Sequence, residues 1–137
     1  HETPILYHAR ELIPDSGGPG KSRGGLGQEL IFEAYEPGTA PKQPLVFSGA
    51  AGRMRFPPQG LGGGKPGALA RIAVDDKPIT PSSSPEFPFK IGEVVHLQLP
   101  GGGGHGDPSE RDRDEIARDL KAGYITPEGA KSDYGAE

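Results

Sequence analysis

EVVHLQLPGGGGHG, residues 93–106, sets two kinds of backbone side by side. Val95, Leu97 and Leu99 recur at every second position with His96 on the other face, which is the period of a half-buried strand. Pro100 cannot donate to a ladder and closes the run. Four consecutive glycines follow. Glycine loses the most conformational entropy on ordering, so such a run favours neither helix nor strand. The rest of the chain repeats this pairing. Ile5–Ile13 and Gln28–Tyr35 read as strands, the second with Leu30, Phe32 and Ala34 on one face and Glu29 and Glu33 on the other. Leu45–Ser48 and Ala70–Val74 are shorter candidates, and Asp75-Asp76-Lys77 marks a turn. Pro37–Pro44 and Pro78–Pro88 read as connectors. Two more glycine-rich stretches intervene, SGGPGKSRGGLG (16–27) and GAAGRMRFPPQGLGGGKPG (49–67). Regular helix is not expected in the second, where polyproline-type backbone is.

The last thirty residues change character. Asp112 followed by Glu115 resembles a capping box, Ile116 and Leu120 share a helix face, and Gly123 stands where a helix stops. A second short helix is expected from Thr126, with Pro127 at its first position, to near Gly135. The fold class is therefore mainly β: a small β-rich body with Gly/Pro-rich, polyproline-II-like segments and a short C-terminal helical tail. The body is expected over residues 1–108 and the tail over 109–137, within a single domain.

Composition limits what such a body can do alone. Leu, Ile, Val and Phe together supply 27 of 137 residues, against 23 Gly and 16 Pro. The core is expected to be thin, so part of the apolar surface should meet a partner, and weak hydrogen-exchange protection is expected across Gly49–Gly67. The chain has no cysteine, which removes disulfides, thiolate metal sites and cysteine nucleophiles. A net charge of −4 without a basic stripe argues against nucleic acid as a partner. No run is long enough for a membrane helix, and a cytoplasmic location is expected.

Several motifs invite chemistry. Gly18-Pro19-Gly20-Lys21-Ser22 resembles the end of a phosphate-binding loop, but Asp15 stands where a glycine belongs and RGGLGQ cannot open the required helix. Gly62–Gly67 and Gly101–Gly106 each match a dinucleotide-binding spacing without the βαβ context that gives it meaning. His105, Asp107 and His96 are the candidate metal ligands, with no second shell to support them. Ser82-Ser83-Ser84 lies between prolines and reads as a linker with nothing to activate a nucleophile. Arg53, Arg55 and Lys65 lie in irregular backbone, where they suit an acidic partner surface or an anionic ligand.

Read together, LIPDSGGPGKSRGGLGQE (12–29), RFPPQGLGGGKPG (55–67), LPGGGGHGDPSERD (99–112) and RDLKAGYITPEGAKSDYG (118–135) resemble the C-terminal region of the hydantoinase B/oxoprolinase family. His105 departs from the aromatic residue common there. Among family members the chain looks most like the separate small subunit of acetophenone carboxylase. The resemblance implies an accessory subunit, without a complete active site, of an ATP-dependent ketone carboxylase complex, a ligase that activates a ketone as its enol phosphate. The alternatives are the C-terminal part of an ATP-dependent hydantoinase or oxoprolinase that opens a cyclic amide, and a purely structural module. The implied partners are a hydantoinase-B-type large subunit and hydantoinase-A-type subunits that carry ATP and a divalent metal, with no cofactor on this chain.

The glycine blocks are the expected contact with the large subunit. Their backbone groups still need hydrogen-bond partners, which packed polyproline-type segments or another subunit would supply. The expected interface residues are Arg23, Gly24, Gly25, Arg55, Gly62, Gly63, Gly64, Gly101, Gly102, Gly103 and Asp107.

Overall fold

The computed structural model describes residues 5–35, 45–48, 52–80 and 86–136. Strands β1 (Ile5–Leu12), β2 (Gln28–Ala34), β4 (Arg71–Val74), β5 (Lys77–Pro78) and β7 (Val94–Gln98) form one antiparallel sheet in the order β1-β2-β7-β4-β5. Strands β3 (Leu45–Ser48) and β6 (Glu86–Phe89) pair separately. The alternation read from the sequence decides which face is buried. Phe32, Ala34, Val95 and Leu97 point to one side of the five-stranded sheet, where Phe89 of β6 completes a buried cluster. Phe32 meets Phe89 edge-on with ring centroids 6.1 Å apart. Leu45, Phe47 and Phe87 pack against the same cluster, so the β3–β6 pair covers this face. Burying one such side chain contributes about 1.5–3 kcal/mol.

Besides a short 3-10 turn at Pro108–Glu110, the structure adds three elements to those expected. The connector read at Pro78–Pro88 overlaps two strands. Its first residue ends β5, where Pro78 pairs with Ala73 across an Asp75-Asp76 turn whose two residues both have positive φ, 47° and 61°. That conformation matches the right-handed twist of a hairpin. Its other end lies in β6, where Pro88 pairs with Val46 in a two-stranded sheet and so interrupts no central ladder. The third addition is one turn of helix, α1 (Gly52–Arg55), inside the stretch expected to exclude helix. Only four residues are helical, and the following Pro57-Pro58 bars continuation. Ser82-Ser83-Ser84 and the connector within 37–44 lie outside the described residues.

The tail forms α2 (Arg113–Lys121) and α3 (Pro127–Tyr134); Ile116 of α2, Ile125 of the connection, and Ala130 and Tyr134 of α3 make a second buried cluster. Asp112 caps α2 through Asp114 N–H, and Gly123 follows it at φ 71°. Thr126 caps α3 through Gly129 N–H, and Gly135 ends it in the left-handed region at φ 60°. These are the residues that sequence assigned to those ends.

Candidate functional site

The three glycine-rich blocks converge. Gly18 N–H donates to Gly102 O (2.8 Å), Gly104 N–H to Lys65 O (2.9 Å) and Lys65 N–H to Pro19 O (2.7 Å), a circuit through all three. Gly102 N–H also donates to Gly25 O (2.8 Å), and Leu61 N–H to Gly104 O (2.9 Å). Packed segments of this same chain thus satisfy much of the backbone that sequence left without regular partners.

The run Gly101–Gly104 sits at the centre, and its four glycines have a steric cause. A Cβ on Gly101 would collide with the Ser16 carbonyl, one on Gly103 with the Gln59 carbonyl, and one on Gly104 with the Pro19 carbonyl. A Cβ on Gly102 would lie 3.2 Å from Gly25 N. Successive residues therefore face different neighbours, and after three residues the first neighbour returns. Three residues per turn is the period of a polyproline-type helix. Gly24 and Gly27, and likewise Gly64 and Gly67, keep the same spacing and are walled by residues 99–105. Such close approach of main chains is open only to residues without Cβ.

Two carboxylates, Asp119 and Asp15, fasten the tail to this bundle. Arg23 Nε donates to Asp119 Oδ2 (2.9 Å) and Nη2 to Oδ1 (3.3 Å), while Arg111 Nη2 donates to Oδ2 (2.8 Å). Arg111 Nη1 also donates to Lys21 O (3.2 Å). Both guanidiniums lie over aromatic rings, Arg23 over Tyr124 and Arg111 over Tyr134, each 5.6 Å from the centroid. Burial disfavours the charge on Asp119, but the Arg23 hydrogen bond and the two positive charges outweigh it and hold the carboxyl below its usual range. The second contact is Asp15, whose carboxylate accepts from Thr126 N–H (2.9 Å) and Thr126 Oγ1–H (2.7 Å) at the start of α3. Sequence singled out Arg23 but missed Asp119 and Arg111. The available signal was an acidic residue at 119, between Ile116 and Leu120, on the apolar side of an amphipathic helix.

The other expected site residues are dispersed. Gly24, Gly64, Gly101 and Gly103 are packed against main chain of other segments, whereas Gly25 is exposed, with open space where a Cβ would stand. Gly62 and Gly63 form an exposed turn at positive φ, 58° and 96°. Arg55 is exposed on α1. Asp107 is exposed and caps the short 3-10 turn Pro108–Glu110; hydrogen bonds from Ser109 N–H and its hydroxyl, each 2.8 Å, hold its carboxyl below the usual range. His96 lies on β7 facing away from the core cluster, and His105 is exposed beside Gly62. Among the described residues no group of three His, Asp or Glu is placed to hold a metal. Lys21 of the phosphate-loop-like stretch pairs with Glu110 at 3.1 Å.

Comparison with known proteins places these features in context. The family model for hydantoinase B/oxoprolinase matches residues 1–108. An uncharacterised protein of Methanocaldococcus jannaschii is 34% identical over 136 residues, 98% of this chain and 23% of that one. The caprolactamase subunit beta of Pseudomonas jessenii is 31% identical over 139 residues, 96% of this chain and 23% of that one. Among solved structures, the ATP-dependent caprolactamase of Pseudomonas jessenii superposes with a TM-score of 0.77 at 28% identity, over 96% of this chain and 23% of that one. A nucleotide-free acetone carboxylase gives a TM-score of 0.75 at 24% identity, over 96% and 21%, a likeness of fold. The chain spans less than a quarter of the length of these relatives.

Proposed function

The chain belongs to the hydantoinase B/oxoprolinase family, and from that premise we propose that it is the glycine-bundle portion of a hydantoinase-B-type component in an ATP-dependent complex that opens cyclic amides. The observation that carries this reading is the relation to a caprolactamase over 96% of the chain, to its subunit beta in sequence and to the solved enzyme in structure. In this reading ATP and its metal belong to a hydantoinase-A-type partner. This chain contributes a rigid support near, but not within, the catalytic chamber.

The bundle suits that role physically. Main-chain segments packed without side chains between them have few rotamers to fluctuate, and a rigid shell holds reacting groups in position. The exposed members of the expected interface, Gly25, Gly62, Gly63, Arg55 and Asp107, then form the contact with the rest of the enzyme. A second reading, ATP-dependent carboxylation of a ketone, is supported by the fold likeness to acetone carboxylase.

Two measurements test the proposal. With the complex assembled, ATP consumption is compared on a lactam or cyclic imide and on a ketone plus bicarbonate. Turnover of the ketone alone would favour the second reading, and turnover of neither would reject both. Separately, Gly25→Trp places a large side chain where nothing stands within 4 Å, so the fold should be spared. Native mass spectrometry should show weakened assembly, and unchanged assembly would remove Gly25 from the interface.

A further inference from the structure

The face of the five-stranded sheet that β3 and β6 leave uncovered carries a groove of about 400 Å³. That size falls within the range of small-molecule sites, which combine an apolar lining with a few placed polar groups. Met54, Leu69, Ala73 and Ile79 supply apolar walls, and Glu29, Arg71, His96 and Gln98 supply the polar groups.

The register of the sheet orders these polar groups. Glu29 of β2 is opposite Gln98 of β7, and Arg71 of β4 is opposite Gln98 from the other side. An acid, an amide and a guanidinium thus form one row across three neighbouring strands. Glu29 and Arg71 stand two strand spacings apart, roughly 10 Å between main chains. Gln98 Nε2 donates to Glu29 Oε1 (3.0 Å), which leaves the other carboxylate oxygen of Glu29 uncommitted in this row. Neither Glu29 nor Arg71 has an ion-pair partner among the described residues. Two opposite charges therefore stand on either side of the Gln98 amide, beside apolar walls, without neutralising one another.

From this row we infer that the groove binds a zwitterionic amino acid whose ammonium and carboxylate are separated by an apolar stem, the ammonium at Glu29 and the carboxylate at Arg71. Arg71 offers the planar fork that matches a carboxylate. Hydrolysis of a lactam yields this class of molecule, because cleaving the amide C–N bond adds water as a free amine and a free carboxylate. The identification of the ligand as such a product rests on the cyclic-amide reading above. The charge row does not depend on it.

The test is an NMR titration of the 137-residue chain with ε-aminocaproate, hexanoate, hexylamine and ε-caprolactam. Saturable shifts are expected for ε-aminocaproate in the amides of β2, β4 and β7, with at least tenfold weaker binding for the two singly charged analogues. Arg71→Gln and Glu29→Gln should each weaken ε-aminocaproate at least tenfold while leaving the spectrum of the free chain dispersed. Arg71→Gln should leave hexylamine unaffected, which a general loss of structure would not. Absence of saturable shifts, equal binding of hexanoate and ε-aminocaproate, or shifts confined to other elements would overturn the inference. Binding of the zwitterion with no lactam turnover by the assembled complex would refute the cyclic-amide reading and leave the groove standing. Turnover without binding would do the reverse.

Discussion

At Gly101, Gly103 and Gly104 a single methyl group meets main-chain oxygen of another segment, and main chain held by hydrogen bonds cannot swing aside as a flexible side chain does. Overpacking a well-filled site costs about 1–3 kcal/mol, occasionally more. Gly104→Ala is expected at or above the top of that range in urea denaturation. Gly25→Ala, facing open space, should stay within about 0.5 kcal/mol. Asp119 is the second decisive residue. Removing one partner of a buried ion pair strands the other, at a cost of about 3–5 kcal/mol, so Asp119→Asn should destabilise towards that amount and leave buried Arg111 with only its longer ionic contact, to the half-exposed Glu115 (3.5 Å). The pH dependence has a definite sign. A carboxyl whose folded pKa is depressed contributes stability that is fully present above its unfolded pKa and lost as pH falls through the lower folded value. Acid titration of stability should therefore be steeper in the parent chain than in Asp119→Asn. Equal slopes would mean that Asp119 ionises no more easily in the folded chain than in the unfolded one.

Among the elements, those with a local cause were legible. The ends of α2 and α3 follow from Asp112, Gly123, Thr126, Pro127 and Gly135, because caps satisfy end groups with residues adjacent in sequence. Strands β2 and β7 follow from period-two burial. What stayed hidden depends on neighbours distant in sequence. In β6, EFPF reads as a connector because Pro88 removes a donor, and only its pairing with β3 makes the strand. The three-residue glycine spacing at 24 and 27, 64 and 67, and 101 and 104 was visible, but nothing local says that such segments bundle with each other. Asp119 could be picked out as an acid on an apolar helix face, but its pairing with Arg23 was illegible for the same reason, since the two are 96 residues apart. The junction of α3 with the bundle is open to a direct check. Thr126 both caps its helix and donates to Asp15. Thr126→Ala should cost about 1–2 kcal/mol, whereas Thr126→Ser, which keeps both hydrogen bonds, should cost less than half of that in the same denaturation experiment.

For the whole molecule, the thin core expected from composition takes the form of two small apolar clusters, one between the sheet and the β3–β6 pair and one in the tail. Between them lies a bundle stabilised by main-chain hydrogen bonds and close packing instead of apolar side chains. Its cooperativity decides whether the chain opens piece by piece. The sequence alone suggested weak protection throughout Gly49–Gly67, because glycine and proline form no regular ladder. The structure gives a different expectation for the second half of that stretch. Leu61, Gly64, Lys65 and Gly67 all donate hydrogen bonds there, two of them to other segments, at Gly104 and Pro19, and two within the stretch, at Leu61 and Pro58, and Gly102 and Gly104 donate back across the bundle. An amide exchanges when its hydrogen bond opens, and bonds that share walls must open together. Native-state hydrogen exchange should therefore show Leu61, Lys65, Gly102 and Gly104 protected to a similar degree, near that of β7. Gly104→Ala should lower protection at all four together while sparing the β1–β2 ladder. Fast exchange at Leu61 and Lys65 beside slow exchange in β7 would show that the glycine blocks open independently of the sheet, and that they need another subunit to hold them.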